Sequence, residues 1–149
     1  MPTHSSRKTL RFSHRLADAE DLVEYCYRAH KLPYHHSEQH TPDDRDGIDF
    51  IVFSPNPGRF ELQVKRSDNG ETLGLLLPLE EPVPPMMADR LSSKMLEKVR
   101  RHARLHPNIR LMLFVAAPTG HRTSQEIIRE IWRATKQLMS LAEENGLAH

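Results

Sequence analysis

The sequence predicts an α/β domain in which helices pack on a sheet, and three observations carry that prediction. Apolar residues recur at helical spacing in three separate stretches. β-Branched and aromatic residues flank a Pro55-Asn56-Pro57-Gly58 turn, and Ile109 to Ala117 is a nearly unbroken apolar run. At 149 residues the chain suits one hydrophobic core, so 1–149 reads as a single domain with residues 1–15 a polar, basic N-terminal arm. Hydrophobic residues at 38% and charged residues at 28% exclude a disordered chain. A net charge of +1 does not by itself argue for nucleic acid, so the placement of the charges decides.

The first helix is expected from an Asp18 N-cap to about Lys31, with Leu22, Val23, Cys26, Tyr27 and Ala29 apolar and Pro33 as its stop. Residues 34–47 are polar and interrupted by Pro42, which predicts a loop with room for a short strand near Tyr34. Ile48 to Phe53 and Arg59 to Arg66 are expected to pair as a hairpin across the proline-glycine turn. Leu73 to Leu79 reads as a third strand, and Pro78, Pro82, Pro84 and Pro85 as an irregular connector. A second helix follows over about Met86 to His106, with Leu91, Met95, Val99 and Ala103 on one face. Ile109 to Ala117 suits a strand covered on both sides. The last helix starts at Thr123-Ser124-Gln125-Glu126, which has the capping-box form, buries Ile127, Ile131, Ala134, Leu138 and Leu141, and closes at Gly146.

Cys26 is the only cysteine, so neither an intrachain disulfide nor a cysteine-rich zinc site can form. Arg7, Lys8 and Arg11 have no apolar segment behind them, unlike a secretory signal, and no run is long enough to span a bilayer. A cytoplasmic location without a membrane partner is the expectation.

The chemistry centres on Phe60-Glu61-Leu62-Gln63-Val64-Lys65. Alternation sends Phe60, Leu62 and Val64 to one face and Glu61, Gln63 and Lys65 to the other. The preceding strand carries Asp49 in otherwise apolar company, and a carboxylate there needs a partner because an unpaired buried charge is costly. If pairing runs from the turn, Asp49 meets the polar face of the second strand at one end of the hairpin; a slip of one residue would reverse the face. A carboxylate, a second oxygen donor and a lysine together suit phosphodiester hydrolysis with Mg²⁺, a hard ion that takes oxygen ligands.

Asp46-Gly47-Ile48-Asp49, a turn, and Leu62-Gln63-Val64-Lys65-Arg66-Ser67 together resemble the active-site core of the PD-(D/E)XK nuclease superfamily. The resemblance is closest to the Mrr-like restriction-endonuclease branch, in which glutamine replaces the second acid. It implies a restriction-endonuclease-like core in αβββαβα order, with a mixed sheet of about four strands. It further implies a Mg²⁺- or Mn²⁺-dependent endonuclease, with DNA the expected substrate. By matching positions Asp49 would be the metal-binding acid, Gln63 the substituted ligand and Lys65 the catalytic lysine. The literal Pro42-Asp43 pair sits in the loop and is set aside. Because glutamine is neutral, a further acid is needed, and the candidates are Glu61, Glu20 and Glu24. Taken singly, each helix glutamate is expected to be a solvated surface residue.

Arg90, Lys94, Lys98, Arg101 and Arg104 recur at three- and four-residue spacings, so they can form a basic stripe that binds a nucleic-acid backbone. A solvated helix face is the ordinary alternative. His30, His35, His36 and His40 with Glu38 match no familiar zinc spacing and are expected to be unliganded. Tyr25, Tyr27 and Trp132 read as packing residues. Strand 73–79 could lie at the sheet edge and pair with a second copy, making a homodimer a candidate. Beside the nuclease reading stand a non-catalytic nucleic-acid-binding or assembly module on the same fold, and a plain interaction domain.

Overall fold

The computed structural model describes residues 4–5, 18–37, 47–55 and 58–147. Six strands form one mixed sheet: β1 (His4–Ser5), β2 (Tyr34–His36), β3 (Phe50–Ser54), β4 (Gly58–Arg66), β5 (Leu73–Leu76) and β6 (Leu111–Val115). Their order in the sheet is β1-β2-β3-β4-β6-β5. The pairs β1–β2 and β4–β6 are parallel, and the others are antiparallel. Helices α1 (Ala19–Ala29), α2 (Pro85–Ala88), α3 (Ser93–Leu105) and α4 (Ser124–Glu144) complete the described fold. The α/β expectation therefore holds, with six strands in place of about four.

Local chemistry explains the boundaries. The Asp18 carboxylate accepts the N–H groups of Glu20 and Asp21 at 2.8 and 3.2 Å, which satisfies donors that the first turn of α1 leaves open. Thr123 caps α4 in the same way by accepting the Glu126 N–H. The helix expected over 86–106 is instead two helices. Ser92 starts α3 afresh by accepting the Met95 N–H while its hydroxyl donates to Asp68. Pro85 opens the single-turn α2 rather than an irregular connector, since its fixed φ and missing N–H suit a first helical position. Within the arm, His4–Ser5 pairs with β2, while residues 1–3 and 6–17 lie outside the described residues.

The sheet buries both faces. On one, Tyr34, Phe50, Phe60, Leu62, Val64 and Leu113 pack against α1 and α4. On the other, Leu73, Leu75, Met112 and Phe114 pack against Met95 and Val99 of α3. β6 sends alternate residues into the two cores, and all five are buried, which accounts for its unbroken apolar sequence. Gly74 of β5 lets α4 approach closely: a Cβ there would lie 2.4 Å from Leu138 Cγ. Two of the expected apolar positions shift. In α3 the buried stripe is Met95, Val99 and His102, with Ala103 half-buried, and in α4 Ala142 is buried where Leu141 is exposed.

Tyr27 is fully buried with its hydroxyl 2.9 Å from Thr135 Oγ1, and Trp132 stacks on His30 at 4.1 Å. Both are packing residues, as expected. β5 ends the sheet, as its sequence suggested.

Candidate active site

The hairpin register puts the polar residues where alternation places them. β3 and β4 pair with Phe50 opposite Leu62 and Ile51 opposite Glu61. Asp49 precedes β3 by one residue and continues its ladder, receiving the Ser37 N–H on its carbonyl and donating its own N–H to Leu62. Its side chain is buried, and Oδ2 accepts the Val64 N–H at 2.8 Å. A buried carboxylate thus obtains the partner that the sequence required of it.

One cavity of about 530 Å³ gathers most of the residues singled out from sequence. Asp49, Gln63 and Lys65 line it from the hairpin, and Glu20 from the first turn of α1. Lys98 and Arg101 line it from α3, together with His102 and His106. Its wall at Gly47 is close-packed: with φ of 86°, Gly47 sits so near His106 that a Cβ would fall 2.6 Å from the ring.

The remaining candidates go elsewhere. Glu61 pairs with Arg59 at 3.2 Å and lines a separate hollow with Asn108 and Arg110, because the pairing places it two residues nearer the turn than Gln63. Glu24 is fully buried, accepting from Tyr34 Oη at 2.5 Å and meeting His36 Nδ1 at 3.0 Å. Neither helix glutamate is a solvated surface residue, since the Glu20 side chain is only 25% exposed and meets His36 Nε2 at 2.7 Å. The basic stripe also divides. Lys98 and Arg101 face the cavity, Arg90 precedes α3 and pairs with Glu71 at 2.7 Å, and Lys94 and Arg104 are exposed without lining it. Pro42-Asp43, Glu38, His40 and Asp46 lie outside the described residues.

His36, read from sequence as one of several unliganded histidines in a polar loop, is a buried member of β2 stacked on Phe50 at 4.3 Å. Burial disfavours its charged form, but the hydrogen bonds and charges of Glu20 and Glu24 outweigh that and hold its pKa above the ordinary range. His102 shifts the other way. Burial lowers its pKa, with the charges of His106 and Lys65 adding to that, against a 2.8 Å bond from Nε2 to the Ile109 carbonyl. Neither histidine was found from sequence as part of this region. A signal for His102 did exist, for it follows Met95 and Val99 at the spacing of the buried stripe.

Among the described residues, no group of three or more His, Cys, Asp or Glu side chains is gathered as a metal cluster. The oxygen donors lining the cavity are two carboxylates, Asp49 and Glu20, and the Gln63 amide. These three oxygen donors suit Mg²⁺ or Mn²⁺, since Mg²⁺ keeps several waters and takes one or two carboxylates beside substrate phosphates, and the His102 and His106 rings line the same cavity. It does not suit a closed structural zinc site.

Fold and cavity together define an α/β protein with a mixed sheet and an acid-amide-lysine cleft beside a basic helix. No family model, curated protein or solved structure matches the chain. No helix among the described residues is long and apolar enough to cross a membrane.

Proposed function

We propose that this chain is a metal-dependent endonuclease that hydrolyses phosphodiester bonds, with DNA as its substrate, on a restriction-endonuclease-like core. The observation that carries the reading is the meeting of Asp49, Gln63, Lys65 and Glu20 in one cavity faced by Lys98 and Arg101. Asp49, Glu20 and Gln63 would hold the ion, whose chemistry is to lower the pKa of a bound water and to stabilise charge on phosphoryl oxygens.

The protein's own groups supply the rest. Lys65, on the same strand face as Gln63, orients the attacking water or stabilises the negative charge that develops on the phosphate. Lys98 and Arg101 hold the backbone beside the scissile bond as salt-sensitive phosphate contacts. A second copy adding along the β5 edge would give a homodimer with two such clefts.

The test is cleavage of labelled DNA and RNA with Mg²⁺ or Mn²⁺ by the wild type, Asp49→Ala and Lys65→Ala. Metal-dependent cutting of DNA, lost in both variants, is the expected result. The neutral Gln63 favours one other reading, a nucleic-acid-binding or assembly module on the same fold. Salt-sensitive binding without cutting under any metal would select it.

A further inference from the structure

Glu20 lies in the first turn of α1, where a glutamate side chain ordinarily samples many rotamers in solvent. Here it belongs to a chain of polar groups whose middle members, Glu24 and His36, are buried. Arg28 Nε donates to Tyr34 Oη at 2.8 Å, Tyr34 donates to Glu24 Oε2, and Glu24 Oε1 meets His36 Nδ1. The other ring nitrogen, Nε2, meets Glu20 Oε1 at 2.7 Å. Stacking on Phe50 with 15° between the ring planes fixes the tilt of the imidazole. Glu24, held by both Tyr34 and Arg28, fixes its rotation. Both ring nitrogens face carboxylate oxygens.

We propose that His36 is a positioning residue for Glu20: anchored on Glu24, its ring holds the Glu20 carboxylate at the cavity that Asp49 and Gln63 line, completing the oxygen set for a divalent cation. The inference rests on the metal-dependent reading above and adds to it a buried support that touches neither substrate nor ion. Groups that hold a metal ligand from behind change metal affinity or activity by about 10–100-fold when removed. The other functions open to this chain of contacts, packing β2 onto α1 among them, would change folding without a specific effect through Glu20.

Mn²⁺ affinity, read from the spin resonance of the free ion, separates these roles in the full chain. The variants are Glu20→Gln, His36→Gln, the double variant, Glu24→Gln and Asp49→Asn, with folding checked by circular dichroism. His36→Gln is expected to bind Mn²⁺ about 10–100-fold more weakly than wild type. The double variant is expected to be no weaker than Glu20→Gln alone, because His36 acts only through that carboxylate. Losses that multiply in the double variant would overturn the proposal, as would wild-type affinity in His36→Gln. Should His36→Gln fail to fold, Glu24→Gln, which keeps the side-chain volume, takes its place: weakened binding supports the proposal and wild-type affinity overturns it. Binding abolished by Asp49→Asn but untouched by His36→Gln and Glu24→Gln removes this inference alone. No Mn²⁺ binding by the wild type removes the metal-dependent function together with it.

Discussion

The Asp49 carboxylate accepts the Val64 N–H across the hairpin at 2.8 Å, so the same side chain that faces the cavity also secures β3 to β4 beside Gln63 and Lys65. Its two roles separate by substitution. Asn at this position keeps an acceptor for Val64 but removes the charge. A hydrogen bond to a charged group contributes roughly 1 kcal/mol more than a neutral one, so Asp49→Asn should lose only about 1 kcal/mol in urea unfolding. Hydrolysis should fall by about 10²–10³-fold, the scale of removing one preorganised charge-handling group. Asp49→Ala should cost more stability, about 1–3 kcal/mol, because the Val64 N–H is left unpaired. Parallel urea titrations and single-turnover cleavage assays check the two numbers.

Gln63 gives a prediction of the opposite sign. It is buried at 7% exposure, opposite the Asp49 end of the ladder, and shares the cavity with Asp49 and Glu20. Gln63→Glu adds a third carboxylate to that wall. Without a cation, like charges repel and the variant should melt below the wild type. With a cation, the added charge should tighten Mg²⁺ by about tenfold, or about 1.4 kcal/mol. Ligand binding raises stability in proportion to the logarithm of concentration over Kd, so the melting temperature of the variant should climb more steeply with Mg²⁺. Equal Mg²⁺ responses in the two proteins would remove Gln63 from the ligand set.

The hairpin and its site were legible in the sequence because period-two alternation and a proline-glycine turn specify both pairing and face. Asp49, Gln63 and Lys65 arrive together for that reason. The α1 glutamates were not legible in the same way. Whether Glu20 or Glu24 faces a cavity, a buried network or water depends on how α1 docks on the sheet, and periodicity within the helix does not contain that information. The sequence also shows His36 only as one histidine in a polar stretch. Its burial comes from pairing with Phe50 and from contact with Glu24 and Glu20, 12 and 16 residues upstream, which is tertiary context. The break before α3 carried a local signal in Ser92, but a continuous helical spacing from Leu91 to Val99 concealed it.

The two buried histidines oppose each other in pH dependence. For His102 the folded pKa lies below the ordinary 6.5, so the unfolded chain takes up a proton first as pH falls. The stability it allows is present above about pH 6.5 and is lost as pH drops toward the folded value. His36 has a folded pKa above 6.5, so its contribution is full below that pH and is lost as pH rises through the folded value. His102→Gln, whose amide can still donate to the Ile109 carbonyl, should therefore flatten the acid side of the stability profile. His36→Gln should flatten the neutral-to-alkaline side. Urea midpoints measured from pH 5 to pH 9 for the three proteins check both slopes.

Lys98 and Arg101 line the cavity, whereas Arg90 is engaged by Glu71 and lies outside α3, so the basic residues should not contribute equally to binding. Each phosphate contact on duplex DNA changes the slope of log K against log salt by about 0.9. Replacing both Lys98 and Arg101 by Ala should lower that slope by about 2 and weaken binding at low salt across all DNA sequences alike. Arg90→Ala should leave the slope unchanged and reduce stability only slightly, since an exposed ion pair contributes about 0–1 kcal/mol. Fluorescence anisotropy with labelled duplexes over a salt series, in Ca²⁺ to prevent hydrolysis, measures both. A slope reduced equally by Arg90→Ala and by the cavity pair would mean that DNA lies along the whole basic face and not across the cleft.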